Sequence, residues 1–382
     1  MTLTQRVNTF LQSKKSGGLL LVFATVISLI LANSPWQTSY IDFWHMDIQG
    51  YTLVHWINDG LMTLFFLYIG LQLKRELYEG KLSTLKSASL PFFGALGGMI
   101  IPAGFFMWLN FGTDTQAGAG IPMATDIAFA IGILSLLGKR VPASLKIFLT
   151  ALAIIDDLGA ILIIAIFYTN AISFENLGIS LGIFGFLLVL NQLKYRQLWP
   201  YLFGGVAMWY FMMNSGIHPT LTGVLLAFAI TFGDGEANSS STILQNFLSK
   251  PVAFIILPLF AIANTCIAFG DGWLSGLTQV NSLGIMGGLV LGKPIGILLF
   301  SWISVSLGFC SLPKELKWSH IIGVGLLAGI GFTMSVFITL LAFDDLLTIN
   351  NSKIAILLAS VTAGTLGYIW LKNTLQSPIN NS

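Results

Sequence analysis

Long apolar runs follow one another along almost the whole chain and constrain its fold more than any other feature. The 382 residues are 55% hydrophobic and 9% charged, whereas soluble domains carry about 25% charged residues. The runs are continuously apolar and not alternating, which excludes a transmembrane β-barrel. We therefore expect an all-α polytopic membrane protein with about twelve transmembrane helices. They are predicted near residues 16–33, 54–73, 87–109, 122–138, 143–169, 175–191, 198–213, 216–233, 250–270, 282–308, 319–343 and 353–371.

The positions of the basic residues support this arrangement, because lysine and arginine collect on the cytoplasmic side of a membrane protein. Sixteen of the 18 basic residues fall in the amino terminus, from Arg6 to Lys15, in the even-numbered loops, which include Lys81, and in the carboxy terminus. The exceptions are Lys353, assigned to an outer loop, and Lys293, which lies inside an apolar run. We predict that both termini are cytoplasmic.

The loops are short, so residues 1–382 are predicted to form a single membrane domain. The longest inner polar stretch, 234–249, has the composition of a flexible linker. The polar stretch 34–52 faces outward in this topology and is a candidate contact in a homodimer. We expect a core from the spans near 87–169 and 282–371, with the other spans forming an interface or scaffold.

Helix-breaking residues coincide with polar ones in two runs. The fourth run has glycines and a proline within 118–122, just before the Thr-Asp pair at 125–126; the eleventh has glycines within 323–331, just before the hydroxyl residues of 333–335. Such interruptions at corresponding places in two halves point to a site built from discontinuous helices. Spans 3–5 and 10–12 start on opposite sides, as an inverted repeat requires. In the tenth run, glycines every four residues predict close helix packing.

Acidic residues within the apolar runs are the strongest functional signal. Asp156 and Asp157 are consecutive in the fifth run, Asp126 lies in the fourth and Lys293 in the tenth. Each aspartate at the centre of a spanning helix costs roughly 2.5–3.5 kcal/mol. Consecutive residues on a helix point about 100° apart, so one aspartate can pair with Lys293 while the other lines a cavity.

These groups suit competition between a proton and a small cation. Low-dielectric surroundings favour the neutral forms of carboxyl and amino groups, while an ionised carboxylate is a hard oxygen ligand for a cation. We assign this exchange to Asp157, with Thr125 as an additional hydroxyl ligand. A static Asp156–Lys293 salt bridge beside a solvated Asp157 is the structural alternative.

Other classes of function stay open at this point. A passive cation channel would need no proton exchange. An intramembrane aspartyl protease also needs two buried acids, but it carries them in Tyr-Asp and Gly-x-Gly-Asp settings that these aspartates lack. We expect no enzyme activity, no cofactor and no nucleic-acid partner.

Several polar residues lie at the predicted ends of spans. Asp59 and His218 lie near outer ends, where a water-exposed or capping role is expected. A charged group follows the second span and reflects the cytoplasmic preference of positive charge, with a role in sensing pH or membrane surface charge as the alternative. Its members are Lys74, Arg75, Glu76 and Glu79.

Five stretches carry a more specific resemblance: 65–77, 124–130, 146–159, 292–296 and 329–335. In order along the chain, they closely resemble the NhaA family of bacterial Na⁺/H⁺ antiporters. The resemblance implies an inner-membrane protein that exports Na⁺ or Li⁺ by alternating access, electrogenically, with two protons entering per ion. It also implies a part in pH homeostasis and discontinuous spans four and eleven that cross each other.

The resemblance also suggests roles for individual residues. Asp157 corresponds to the principal ion- and proton-binding carboxylate, and Asp156 to its partner, paired with Lys293 in the inward-facing state. Asp126 and Thr125 correspond to residues that serve the helix crossing. The sequence departs from the family at Gln72 and at 245–246, where familiar members carry acids and a histidine implicated in pH activation. This departure puts the alkaline activation typical of the family, or its set point, into question.

Overall fold

The computed structural model describes residues 16–80, 85–169, 171–233, 239–270 and 272–375. The basic residues from Arg6 to Lys15, Lys81 and linker residues 234–238 lie outside these ranges. The α-helices of the described ranges are α1 (Ser16–Ala32), α2 (Gln37–Trp44), α3 (Leu53–Tyr78), α4 (Leu85–Asn110), α5 (Ile127–Leu136), α6 (Ala143–Phe167), α7 (Phe174–Gln192), α8 (Trp199–Met213), α9 (Leu221–Ala229), α10 (Ser240–Asn264), α11 (Trp273–Leu277), α12 (Val280–Ser306), α13 (Trp318–Ala328), α14 (Phe332–Ala342) and α15 (Leu346–Thr374).

Short elements of other kinds connect or interrupt these helices. A hairpin of two short antiparallel strands, β1 (Asp47–Ile48) and β2 (Tyr51–Thr52), precedes α3. A 3₁₀ helix, Gln116–Met123, precedes α5. π-helical turns interrupt α3, α10 and α12, and the last of them, Gly288–Gly292, ends immediately before Lys293. Such turns occur frequently at functional sites.

Helices long and apolar enough to cross a membrane dominate the described residues. Eight of them meet this description, and α13 and α14 together make a ninth span that is bent by 48° at its break. α1 is apolar but shorter. In a bilayer the backbone hydrogen bonds of a span must be made within the protein, which favours helices for runs of this composition. The predicted helical membrane fold is thus confirmed.

The first compact unit consists of the described parts of 1–34, 84–160 and 265–382. Within it α4 packs along α12, α13 packs on α15, and α1 packs on α5. Its interior contains fully buried aliphatic side chains from α6, including Leu152 and Ile154, and it also encloses buried charged groups.

The second compact unit consists of the described parts of 35–83 and 161–264. Here α3 packs against α9 and α10, and α7 packs against α8. The carboxyl end of α9 is closed by Lys74, whose Nζ donates to the carbonyl oxygens of Phe228 (2.9 Å) and Ile230 (2.6 Å). A positive charge at a helix carboxyl end is electrostatically favourable.

The small-residue face predicted for the tenth run forms the contact between α12 and α4. A Cβ at Gly296 would collide with the backbone carbonyl of Gly97, and a Cβ at Gly292 would lie 3.0 Å from the Cα of Pro102. Glycine lets the backbones approach this closely, with a glycine on both helices at the Gly296–Gly97 contact. The prediction of close packing is confirmed.

Two details differ from the sequence expectations. α10 begins at Ser240, because Ser239 accepts a hydrogen bond from the Thr242 amide and caps the helix; the linker prediction for the later part of 234–249 is therefore wrong. Lys353 does not lie in an outer loop. Asp345 caps α15, which places Lys353 two turns inside the helix, where it is buried.

Candidate functional site

Two interrupted helices of the first unit meet at their breaks. Between the 3₁₀ helix and α5, Ala124 and Asp126 adopt extended backbone conformations. Between α13 and α14, the chain passes through Gly329 and Gly331. Glycine suits this second break, because a Cβ at Gly329 would collide with the carbonyl oxygen of Leu289.

Backbone groups that lack a helical partner at one break form hydrogen bonds with groups of the other interrupted helix. The Asp126 amide donates to the Ile330 carbonyl (2.6 Å), and Ser335 Oγ donates to the Ile121 carbonyl (2.7 Å). Thr125 Oγ1 lies 3.0 Å from the Ala328 carbonyl. Irregular backbone at membrane depth is tolerated where protein supplies the missing hydrogen bonds in this way.

Asp126 caps the amino ends of two helices at once. Its Oδ1 accepts from the amide of Phe129 in α5 (2.9 Å). Its Oδ2 accepts from the Thr333 hydroxyl (2.7 Å) and the Thr333 amide (3.2 Å) in α14. A carboxylate is favoured at the positive end of a helix dipole, and here one side chain serves two such ends. The sequence indicated Asp126 but not Thr333 as its partner.

Asp156 and Lys293 form a buried ion pair beside the two breaks. Asp156 Oδ2 lies 2.9 Å from Lys293 Nζ, and both side chains are fully buried. Lys293 also donates to the carbonyl oxygen of Met123, at the carboxyl end of the 3₁₀ helix. Thr125 Oγ1 donates to the same Asp156 oxygen (2.7 Å). The lysine thus offsets a carboxylate and a helix carboxyl end together.

Asp157 is the unsatisfied group of the site. It is fully buried, and neither carboxylate oxygen has a hydrogen-bond partner; Asp156 Oδ1 also lacks one. Burying a charge without partners costs several kcal/mol, so this carboxylate needs a proton or a cation. The structure therefore separates the consecutive aspartates into a paired one and an unpaired one.

α4 holds this region closely from one side. A Cβ at Gly98 would lie 2.9 Å from Ile297 and 3.8 Å from Lys293 Cε. On α6, a Cβ at Gly159 would collide with the sulfur of Met99. Small residues here let α4 approach both the lysine helix and the aspartate helix.

The charged group that follows the second predicted span does not form one cluster. Lys74 is buried against the end of α9, whereas Arg75 and Glu79 are exposed and Glu76 is half-buried. All four belong to the second unit. Lys74 is thus the only buried member of this group of four residues.

The expectation of a water-exposed Asp59 is wrong. Asp59 is buried, with His55 Nε2 at 3.2 Å from one carboxylate oxygen and His218 Nε2 at 3.6 Å from the other. His218 Nδ1 lies 2.7 Å from the Thr220 hydroxyl. His55 lies at the start of the predicted run 54–73 and was not singled out there. Its spacing of four residues from Asp59, one helical turn, was the available signal.

Interrupted helices that meet around buried carboxylates and a lysine, within a helical membrane fold, are typical of secondary transporters. The chain belongs to the Na⁺/H⁺ antiporter 1 family, whose model matches residues 8–371.

Relatives named as antiporters agree with this assignment, and a solved structure shares the fold. The chain is 63% identical over 380 residues to the Na⁺/H⁺ antiporter NhaA 1 of Flavobacterium johnsoniae, covering 100% of both chains. It is 43% identical over 387 residues to the NhaA antiporter of Escherichia coli O1:K1 / APEC, covering 98% of this chain and 100% of the other. Its fold resembles that of the sodium proton antiporter MjNhaP1 of Methanocaldococcus jannaschii at pH 8, with a TM-score of 0.53, 13% identity, and coverage of 94% and 92%.

Proposed function

We propose that this protein is a Na⁺/H⁺ antiporter that exports Na⁺ or Li⁺ and admits protons through the site at Asp157. The observation that carries the proposal is the fully buried Asp157 carboxylate, which has no hydrogen-bond partner beside the Asp156–Lys293 pair. The full-length similarity to proteins named Na⁺/H⁺ antiporters supports the same conclusion.

The exchange follows from what can neutralise Asp157. A proton neutralises the carboxylate in one state, and a dehydrated Na⁺ or Li⁺ takes its place in the other, with Asp156 Oδ1 as a second buried acceptor that has no hydrogen-bond partner. The Thr125 hydroxyl adds an oxygen ligand.

Lys293 supplies the second proton in this proposal. When a cation binds between the two aspartates, Asp156 is no longer free to balance the lysine charge, and Lys293 releases a proton. One cation then replaces two protons, so each cycle moves one net charge. The Asp156–Lys293 pair belongs to the state without cation.

Alternating access in this proposal uses the crossed helices. Asp126 and Lys293 balance the helix ends that face each other at the breaks, so the crossing tolerates a change in the charge of Asp157. We propose that the 3₁₀ helix with α5, and α13 with α14, are the fourth and eleventh of twelve spans, in two inverted repeats of spans 3–5 and 10–12. The protein then resides in the inner membrane with both termini cytoplasmic.

The remaining assignments concern regulation and assembly. We propose that Lys74, Arg75, Glu76 and Glu79 influence the pH dependence of transport, with a set point altered by Gln72 and Gln245. The hairpin formed by β1 and β2 is the proposed contact of a homodimer. Blue native electrophoresis of a hairpin deletion tests the second assignment.

Proton release driven by Na⁺ in everted vesicles tests the transport proposal. Vesicles from a host that lacks its own antiporters are energised, and fluorescence dequenching on addition of Na⁺ is recorded from pH 6.5 to pH 9. The native protein is expected to give dequenching, and Asp157→Asn none. Asp345→Asn is the matched control, because it changes an exposed aspartate in the same way.

Equal dequenching in the native protein and Asp157→Asn would contradict the role of Asp157. A Na⁺ current that needs no proton gradient would indicate a channel. Size-exclusion chromatography of each variant shows that loss of exchange does not reflect loss of folding.

A further inference from the structure

The joining segment, residues 328–333, leads from the end of α13 into α14 and makes most of its outside contacts with the other break. Thr125 Oγ1 lies 3.0 Å from the Ala328 carbonyl oxygen. The Asp126 amide donates to the Ile330 carbonyl (2.6 Å), and the carboxylate of the same residue caps α14. Both partners belong to the break that precedes α5.

One hydrogen bond ties the joining segment to a different helix. The Phe332 amide donates to Ser360 Oγ of α15 (3.2 Å), and both residues are buried. In the part of the chain that the structure describes, the other hydrogen bonds of the segment either continue α13 and α14 or involve Thr125 and Asp126. The bond to Ser360 therefore fixes the segment independently of the other break.

α15 contacts the joining segment closely around Ser360. A Cβ at Gly364 would lie 3.3 Å from Ile330 Cδ1, and a Cβ at Gly329 would lie 3.1 Å from the Cβ of Ala363. The segment is buried throughout. A buried amide that loses its acceptor is costly, so the first turn of α14 is expected to move when the Ser360 hydroxyl is removed.

The position of the joining segment matters because the Thr125 hydroxyl has two acceptors within reach. Thr125 Oγ1 lies 2.7 Å from Asp156 Oδ2 and 3.0 Å from the Ala328 carbonyl oxygen. A hydroxyl has one proton and two lone pairs. To present a lone pair to a cation beside Asp156, the hydroxyl must turn its proton away from the carboxylate, and the Ala328 carbonyl is placed to accept it.

We propose that Ser360 is a positioning residue for cation binding. By holding the Phe332 amide, it keeps the joining segment, and with it the Ala328 carbonyl, within reach of the Thr125 hydroxyl. Ser360 does not touch the cation and acts through the segment alone. This role rests on the proposed function, because it takes Thr125 as a ligand of the transported cation.

The Na⁺ dependence of exchange in everted vesicles tests this role. We expect Ser360→Ala to raise the apparent KM for Na⁺ about fivefold and to change the maximal rate little, because a ligand of the bound cation is weakened. Ser360→Thr keeps the hydroxyl and should keep the native KM. Ser352→Ala is the matched control: Ser352 is also buried on α15 and accepts from the Asn281 side chain (2.7 Å), but not from the joining segment.

A lower maximal rate with an unchanged KM in Ser360→Ala, or an equal rise of KM in Ser352→Ala, would overturn the positioning role. A melting curve of each variant verifies folding. Absence of Na⁺-driven exchange in the native protein would contradict the proposed function and this role together, whereas a native KM in Ser360→Ala would contradict this role alone.

Hydrogen exchange of the joining segment tests the anchor itself and needs no transport. The Phe332 amide should exchange faster in Ser360→Ala than in the native protein, and it should stay protected in Ser352→Ala. Equal protection of this amide in the native protein and in Ser360→Ala would show that Ser360 does not hold the segment.

Discussion

One arrangement of an aspartate with a threonine occurs twice in this protein, in opposite surroundings. Asp126 Oδ2 accepts from the hydroxyl and amide of Thr333, which is distant in sequence, and Asp345 Oδ2 accepts from the hydroxyl and amide of Thr348. The first carboxylate is buried and also caps α5, whereas the second is exposed and caps α15 alone. The two aspartates therefore make the same hydrogen bonds to threonine, but we expect the buried one to contribute more to the stability of the protein.

Replacing Asp126 by asparagine should destabilise the protein much more than replacing Asp345. Asparagine keeps one acceptor but turns an NH₂ group toward an amide of α5 or α14, and it removes the charge that both helix ends favour. We expect Asp126→Asn to lower the free energy of unfolding by about 1–3 kcal/mol. Asparagine is itself a good N-cap, so Asp345→Asn should change it little. Thermal melting of both variants in one detergent compares them, and equal shifts would refute the argument.

The exposed cap gives a dependence on pH with a defined sign. Hydrogen bonds from the Thr348 hydroxyl and amide hold the pKa of Asp345 below its ordinary value of 3.8. A carboxylate whose pKa is lowered by folding stabilises the folded form above its unfolded pKa, and this contribution is lost as the pH falls through the folded pKa. The stabilisation of the first turn of α15 should therefore disappear in acid.

Hydrogen exchange measures this loss. Amides of the first turn of α15 should lose protection, relative to intrinsic rates, as the pH is lowered below about 3.8. In Asp345→Asn the protection should not depend on pH in this range. The first turn of α10 is the internal control, because its cap, Ser239, does not ionise. A parallel loss of protection in both helices would indicate general acid unfolding.

The sequence contained part of this residue-scale picture. An acid in an apolar run is costly enough to be noticed in isolation, so Asp126, Asp156, Asp157 and Lys293 were predicted to be central. The partner of each of these residues could not be predicted in the same way. The hydrogen bond between Asp126 and Thr333 joins two segments that are 207 residues apart in the sequence. A local sequence pattern cannot show that two such distant segments are in contact.

At the scale of elements, the contact between α4 and α12 depends on glycine where the two backbones are closest. A Cβ at Gly296 would lie 2.7 Å from the carbonyl carbon of Gly97 and would collide with its oxygen. Backbone cannot rotate away as a long side chain can, so one helix must shift. That helix carries Lys293, one turn before Gly296.

Gly296→Ala should therefore lower both stability and exchange activity. Overpacking of this kind costs about 1–3 kcal/mol, and a shift of α12 displaces Lys293 from Asp156. Gly182→Ala in α7 is the matched control, because nothing lies within 4 Å of a Cβ there; its melting temperature should stay the same or rise slightly. If both variants melt alike, the close approach of α4 and α12 is not limiting.

Element boundaries were harder to predict than element identities. The four-residue repeat of glycines in the tenth run predicts close helix packing, and the structure shows this packing between α12 and α4. The start of α10 was missed because its first turns contain serine, threonine, glutamine and asparagine, the composition of a linker. Burial of Ser240 and Gln245 depends on what packs against them, and composition does not carry that information.

At the scale of the whole molecule, the proposed stoichiometry fixes how the protein responds to its energy source. Two protons per Na⁺ move one net charge, so a membrane potential contributes roughly 2.3 kcal/mol per 100 mV to each cycle. An electroneutral exchanger of the same fold would be indifferent to the potential. The two cases differ in an equilibrium quantity, which no change in rate or expression can mimic.

Reconstituted proteoliposomes distinguish these cases. With the potential held at zero by potassium and valinomycin, a difference of one pH unit provides about 2.7 kcal/mol when two protons move, enough to balance a Na⁺ gradient of about a hundredfold. One proton per ion balances about tenfold. We therefore expect net Na⁺ flux to reverse near a hundredfold gradient, and to shift when a potential is imposed. Reversal near tenfold, without such a shift, would show that Lys293 keeps its proton when Na⁺ binds.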